Sequence, residues 1–253
     1  MKITFLGTGT SQGVPVIGCE CPVCASLDYR DKRLRTSVFL ETDGGNLVID
    51  TGPDFRQQML REDIKKLDAV IYTHGHKDHI AGLDDVRAFN FLQSIDMPVY
   101  GQAAVHEQLK VEFYYAFEPK KYPGIPRLNL IEIDEQPFSI GGLEIIPLPV
   151  LHLHMPVLGF RFNNFSYITD ANEIPEATYR KLEGSEVLVI NALQKEKHIS
   201  HFNLEQALGV ARKVGAKQTY FTHISHKLGQ HKVVEKELPA GVALSYDGLQ
   251  ITL

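Results

Sequence analysis

A chain of 253 residues, 43% hydrophobic and 23% charged, can bury a sizeable core without disulfides, which sets aside disordered and disulfide-scaffold classes. Its net charge of -5 argues against the broad basic footprint of a nucleic-acid-binding protein. No apolar run approaches the ~20 residues that span a bilayer. The opening MKITFLGTGTSQG holds too short an apolar patch for a signal peptide, so a reducing, cytoplasmic location is expected.

In chain order, β-rich runs predict strands at Ile3–Leu6, Ser37–Thr42, Asn46–Asp50, Ala69–Thr73, Pro98–Tyr100, Leu130–Ile133 and Leu143–Leu148. Further strands are expected at Gly159–Phe162, Ser166–Thr169, Val187–Ile190, Thr219–Thr222, Ala243–Tyr246 and Gln250–Leu253. Helical patterns fall at Asp54–Lys66, Ile80–Gln93, Ala103–Ala116, Pro175–Leu182 and Leu204–Val214. The pairs Gly44-Gly45, Asn163-Asn164 and Asp247-Gly248 suit the positive-φ positions of hairpin turns. Strands interleaved with amphipathic helices predict an α/β (α+β) architecture, two sheets packed together with helices outside. No repeat, low-complexity tract or linker divides residues 1–253, so one domain is expected. The aromatic, basic segment Phe113–Tyr122 reads either as a helix end on the core or as a substrate-facing lid.

The densest chemistry lies in THGHKDH, Thr73–His79, on the loop leaving the strand AVIYT. Three imidazoles and a carboxylate this close form a ligand set suited to zinc, iron or manganese. His74 and His76 alternate along the loop and can converge on one ion. Asp78 and His79, turned by the start of a helix, can reach a second. A non-metal reading is poor, because polar groups crowded at a strand end without partners cost stability. A second cluster, GCECPVC, places Cys19, Cys21 and Cys24 within six residues. Cysteines so near one another rarely meet disulfide geometry, and one would be left over. Three thiolates call for a fourth ligand to complete tetrahedral zinc, and His226 or His231 could supply it.

The pattern His-x-His-x-Asp-His resembles that of the metallo-β-lactamase superfamily of dinuclear hydrolases. This resemblance covers essentially the whole chain and implies an αββα sandwich, two mixed sheets with helices outside and metals at one edge. It implies a ligand set of His74, His76, Asp78, His79, His152, Asp170 and His223, each later ligand at a strand end. Asp170 would bridge two divalent ions (manganese or zinc, with iron a third candidate), and Asp50 in IDTGPDFR would support the metal loop. His154 competes with His152, since alternation along a strand could let either face the metals.

A structural zinc on Cys19, Cys21, Cys24 and His226 beside such a centre resembles the PhnP-type phosphodiesterases, which act on phosphoribosyl 1,2-cyclic phosphate. In HISHFNLEQAL, His201 rather than His198 aligns with the histidine that related phosphodiesterases hold over the scissile phosphate. The expected reaction is hydrolysis of a small phosphodiester by a hydroxide shared between the cations. Asp78 would orient the nucleophile, and His201 would assist the leaving group. Related enzymes suggest a homodimer; no membrane or nucleic-acid partner is expected. Competing readings are a tRNase Z-like endoribonuclease, a thioester hydrolase of the glyoxalase II kind and a non-catalytic superfamily member.

Overall fold

The computed structural model, which describes residues 1–119 and 122–253, folds as two mixed sheets of seven strands each. The first half runs β1 (Lys2–Gly7), β2 (Ser37–Thr42), β3 (Gly45–Ile49), α1 (Phe55–Arg61), β4 (Ala69–Ile71), α2 (Lys77–Ile80), α3 (Arg87–Gln93) and β5 (Met97–Gly101). It continues with α4 (Ala103–Glu112), α5 (Tyr114–Phe117), β6 (Leu128–Glu132) and β7 (Phe138–Ile140). The rest is β8 (Leu143–His152), β9 (Met155–Phe162), β10 (Phe165–Tyr167), α6 (Glu176–Leu182), β11 (Val187–Asn191) and α7 (Leu204–Val214). The chain closes with β12 (Gln218–Thr222), α8 (His231–Val234), β13 (Val242–Leu244) and β14 (Gln250–Thr252). Strand order is β14-β1-β2-β3-β4-β5-β6 in one sheet and β13-β12-β11-β10-β9-β8-β7 in the other.

Side-chain alternation explains the layers. Phe5, Leu40, Ile49 and Ile71 face the second sheet and meet Ile145, Phe160, Phe162 and Tyr167. Their neighbours Leu6, Phe39, Val48 and Val70 face outward, under Phe55, Phe89 and Leu109 of α1, α3 and α4. The second sheet does the same, with Leu188, Ile190 and Phe221 under Leu182 and Val210 of α6 and α7. Both faces of each sheet are thus covered, which is why the strands read as continuous apolar runs. Each such side chain contributes on the order of 1.5–3 kcal/mol by leaving water. Among the described residues no helix is long and apolar enough to cross a membrane.

Several elements depart from the sequence expectation for physical reasons. The helix expected over Ile80–Gln93 is broken: α2 ends at Ile80, a 3-10 turn spans Leu83–Val86, and α3 begins at Arg87. At the break Gly82 donates its N–H to the Thr51 carbonyl at 2.8 Å, and a side chain there would strike the Gly52 backbone. The Ala103–Ala116 helix likewise divides at Phe113. Asp247-Gly248 makes a turn, but it carries the chain from β13 in one sheet to β14 in the other and so closes no hairpin. β7, missed in the sequence, is a three-residue edge strand. It pairs with β8 only as far as Ile145, so Pro147 and Pro149 fall where β8 has a free edge and no donor is needed. Within Phe113–Tyr122, Phe113 and Ala116 are buried in the outer core and Tyr115 donates its hydroxyl to Asp84. That part is core packing; Lys120 and Lys121 lie outside the described residues.

Candidate metal centre

The parallel strands β3, β4, β10 and β12 all point their C-terminal ends at one edge of the sandwich. Loops leaving strands in that direction deliver Asp50, His74, Asp170 and His223, and His152 ends β8. Asp50, Asp170 and His223 all sit in the left-handed region, at φ 64, 54 and 54. Residues other than glycine hold that conformation at a cost and mostly where the surroundings fix it. The abrupt bend turns each side chain off its strand and into the shared edge.

Two sets of ligand atoms result. His74, His76 and His152 form one, with His74 Nε2 and His76 Nδ1 3.1 Å apart. Asp78, His79, Asp170 and His223 form the other, each set lying within 4.8 Å of itself. Asp170 lies between the two: its Oδ2 is 2.5 Å from His79 Nε2 and 3.7 Å from His74 Nε2. Its Oδ1 is 2.8 Å from both His223 Nε2 and His201 Nε2. His79 Nε2, Asp170 Oδ2 and His223 Nε2 are buried and lack a hydrogen-bond partner in good geometry. Each such atom would cost about 1–3 kcal/mol if nothing met it. Converging imidazole nitrogens and carboxylate oxygens fit divalent zinc, manganese or iron.

Asp50, fully buried, organises both sets from behind. His79 donates Nδ1–H to Asp50 Oδ2 at 2.7 Å, and Thr73 donates its N–H and hydroxyl to the two carboxylate oxygens at 2.9 and 2.8 Å. With its hydroxyl proton spent on Asp50, Thr73 Oγ1 accepts from His74 Nδ1 at 2.9 Å. One carboxylate therefore fixes the tautomer of His79 directly and of His74 through Thr73, leaving Nε2 of each to face the centre. His152 is set the same way by a backbone group, donating Nδ1–H to the Ser200 carbonyl at 2.8 Å. Neither Thr73 nor Ser200 stood out in the sequence, since a hydroxyl relay and a main-chain acceptor leave no motif. The loop itself is stitched by Thr51 N–H to His79 O at 2.7 Å, and Gly52 lets the Asp78 carbonyl approach where a side chain would collide.

Electrostatics divide the histidines. Burial depresses His74 well below the ordinary imidazole range. At His79 burial pushes the same way, but Asp170, Asp50 and Asp78 outweigh it and hold the ring well above that range. At His223 burial is again overcome by Asp170 and Asp78, to about 9. Burial would raise Asp170, yet His223, His79 and His201 hold it well below the usual carboxylate range. Protons on His79 and His223 thus stand where cations would compensate the carboxylates, and any bound cation must displace them.

The paired alternatives lie in different places. His152 stands with His74 and His76 in a group that could hold an ion, whereas His154 lies exposed in the two-residue turn between β8 and β9. His201 reaches Asp170, while exposed His198 stands behind it, with the two Nδ1 atoms 3.3 Å apart. Burial pushes His201 down to about 4 against the pull of Asp170, so the ring is neutral at pH 7. Its Nε2 bonds a carboxylate and therefore carries the proton. Asn203, two residues on, caps α7 in a reciprocal box with Gln206 and so fixes the loop's exit.

Away from this edge, His226 Nδ1 lies 3.3, 3.5 and 3.4 Å from the sulfurs of Cys19, Cys21 and Cys24. All four ligand atoms fall within 4.8 Å of one another, spacing that suits tetrahedral zinc. A backbone hydrogen bond from Cys24 leads in lowering Cys21 to about 6, whereas burial lifts Cys24 to about 11. His231 is not in this group; its Nδ1 lies 3.1 Å from Arg33 Nη2 and its N–H bonds Asp31. The Cys-bearing loop connects to the other centre through Ile224, which donates to Thr8 O at 2.8 Å and accepts from Thr10 N–H at 3.2 Å, beside His223.

The family model for the beta-lactamase superfamily domain matches residues 45–224. A solved structure described as a new diphosphatase from the PhnP family is 42% identical, with a TM-score of 0.93, covering 100% of this chain and 97% of that one. The octanoyltransferase of Porphyromonas gingivalis is 38% identical over 253 residues, 99% of this chain but 51% of that protein. The chain thus spans about half the length of that relative. Ribonuclease Z of Clostridium acetobutylicum is 26% identical over 243 residues, 87% of this chain and 71% of that one. With a superfamily domain matched over most of its length and a PhnP protein matched end to end, the chain belongs to the β-lactamase superfamily and, within it, to the PhnP family.

Proposed function

We propose that the chain hydrolyses a small phosphodiester, of the class of phosphoribosyl 1,2-cyclic phosphate, with two divalent cations on the His/Asp sets and one zinc on Cys19, Cys21, Cys24 and His226. The observation that carries this reading is Asp170, whose two oxygens face both ligand sets while Oδ1 also holds a histidine outside them, His201. When bound, the cations supply Lewis acidity to phosphoryl oxygens and acidify a water molecule. The protein's own part is positional. With substrate bound, His201 would turn its Nε2–H from Asp170 Oδ1 to a phosphoryl oxygen, whose negative charge opposes the burial that keeps the ring neutral. Asp78, half-buried beside His79 and His223, is placed to accept a hydrogen bond from the attacking water and so orient it.

A small substrate is favoured over tRNA by the economy of residues 152–170. That stretch is spent on β9, β10 and two tight turns, with no inserted arm to grip a folded RNA. The test is metal quantification with a substrate panel: bis(p-nitrophenyl) phosphate, ribose cyclic phosphates, a tRNA precursor and a thioester. Turnover of the small phosphodiesters is expected; turnover of the thioester or the tRNA precursor alone would overturn the reading.

Two further outcomes follow from the supporting contacts. Asp50→Ala frees the tautomers of His79 and His74, so affinity for the catalytic cations should fall about 10–100-fold. Titration of the metal-stripped protein checks this, and unchanged affinity would remove Asp50 from its role. Cys24→Ser should release the zinc and lower the melting temperature, by about 2–4 °C for each kcal/mol lost. A thermal scan paired with zinc analysis reads both.

A further inference from the structure

Asp170 follows β10 and His223 follows β12, while β11 lies between those strands and, among the described residues, supplies no atom to either ligand set. The exit of β11 nevertheless bonds a neighbour of each functional group. Asn191 takes both backbone groups of Ala171, the residue after Asp170. The Ala171 N–H donates to Asn191 Oδ1 at 2.8 Å, and Asn191 Nδ2 donates to the Ala171 carbonyl at 2.9 Å. Ala192 donates its N–H to the carbonyl of Thr222, the residue before His223, at 3.0 Å. Leu193 donates to the carbonyl of Phe202, the residue after His201, at 3.0 Å. Phe202 in turn donates at 2.8 Å to the same Ala171 carbonyl that Asn191 holds.

Of these three consecutive residues only Asn191 acts through its side chain, so its contribution depends on residue type. β10 keeps its ladder as far as Ile168, whose N–H bonds the Val189 carbonyl at 2.9 Å; the chain then bends at Asp170, with φ 54. Past the bend, the Ala171 N–H and carbonyl meet the Asn191 amide. A side-chain amide carries the same donor and acceptor as a peptide group, so it adds one rung where the backbone has turned away. An ionised Asp of the same shape offers acceptors only, and Leu offers neither. Asn191 and Ala171 are both fully buried, so the rung is shielded from water. It lies one residue from the left-handed conformation of Asp170, which persists only where its surroundings fix it. The shared carbonyl also ties the Asp170 segment to the His201 segment, beside the 2.8 Å contact between Asp170 Oδ1 and His201 Nε2.

We infer that Asn191 is a positioning residue for the hydrolysis. Its amide holds Asp170 in its bend and, through the carbonyl it shares with Phe202, keeps His201 in register with that carboxylate. The inference rests on the phosphodiester reading for the role of His201, but metal binding tests it independently.

Asn191→Ala should lower the affinity of the His/Asp sets for cobalt(II) by about 10–100-fold, the usual effect of removing a support behind a ligand. The d–d bands of those sets and the thiolate-to-cobalt charge transfer of the Cys19, Cys21, Cys24 and His226 cluster read the two kinds of site separately. The second signal should stay native. At saturating cation, kcat toward small phosphodiesters should fall about 10²-fold, the scale of a misplacement near 1 Å, with KM within a fewfold of native. The fall should be larger for methyl than for p-nitrophenyl esters, because a displaced His201 assists the poor leaving group less. Ser166→Ala is the control: it removes a buried hydrogen bond to Ser185, at 2.8 Å, from β10 of the same sheet. It should lower the melting temperature yet leave cobalt binding and leaving-group dependence native. Should Asn191→Ala fail to fold, Asn191→Asp carries the same readouts, since it keeps the shape and the acceptor while losing the donor to Ala171.

Native cobalt affinity together with native leaving-group dependence in the Asn191 variants, or equal losses in Ser166→Ala, would overturn the role. Failure of the phosphodiester reading shows separately, as native protein that leaves bis(p-nitrophenyl) phosphate intact; the cobalt titration still decides Asn191 in that case.

Discussion

Replacing His201 by Ala is expected to lower kcat toward small phosphodiesters by about 10²–10⁴-fold, the usual worth of a positioned proton donor, while leaving metal content unchanged. The separation of effects follows from geometry. His201 touches Asp170 through Nε2 at 2.8 Å but belongs to neither ligand set. Its removal takes a donor from the phosphoryl oxygens without taking a ligand from a cation. The loss should be larger for substrates with poor leaving groups than for p-nitrophenyl esters, because a good leaving group departs without a proton. A rate within a fewfold of native for both kinds of leaving group would remove His201 from the chemistry. Loss of metal in the variant would instead make it a supporting residue of Asp170.

Asp170→Asn should be more damaging, on the order of 10⁴-fold in turnover, the scale seen when one member of a catalytic set acting as a unit is removed. Unlike His201→Ala, it should also reduce metal stoichiometry. The amide keeps the shape of the side chain but loses the charge that holds His79 and His223 above their ordinary range. Only one of its two ends can still accept, so it cannot serve both ligand sets. Elemental analysis of the purified variant against native protein measures the stoichiometry, and stopped assays measure the rate. Native metal content together with native turnover would show that the carboxylate is dispensable and overturn the shared-site description.

What could be read from the sequence follows from how locally each feature is encoded. His74, His76, Asp78 and His79 are neighbours in the chain, so their joint chemistry was visible at once. His152, Asp170 and His223 are remote, and only a resemblance could group them; the structure brings them to the same edge through strands that share one direction. The strands were legible because burial on both faces makes them uniformly apolar. The break after Ile80 was not, because it depends on Gly82 meeting Gly52, thirty residues away in the chain. Thr73 and the Ser200 carbonyl were likewise invisible: each acts through a hydrogen bond whose partner is known only once the chain is folded.

The cluster of Cys19, Cys21, Cys24 and His226 has a consequence for how the protein is made. Its three sulfurs come from one short loop, but its histidine is encoded 202 residues after the last of them. At ~5–20 residues per second, a nascent chain carries those thiols for roughly 10–40 s before the histidine exists. In the folded chain His226 follows β12, which pairs between β11 and β13, so the fourth ligand position depends on the second sheet. Zinc captured by the thiols during synthesis would protect them from oxidation over that interval and still leave one coordination position open. The ion would thus guard the growing chain first and fasten its two distant segments afterwards.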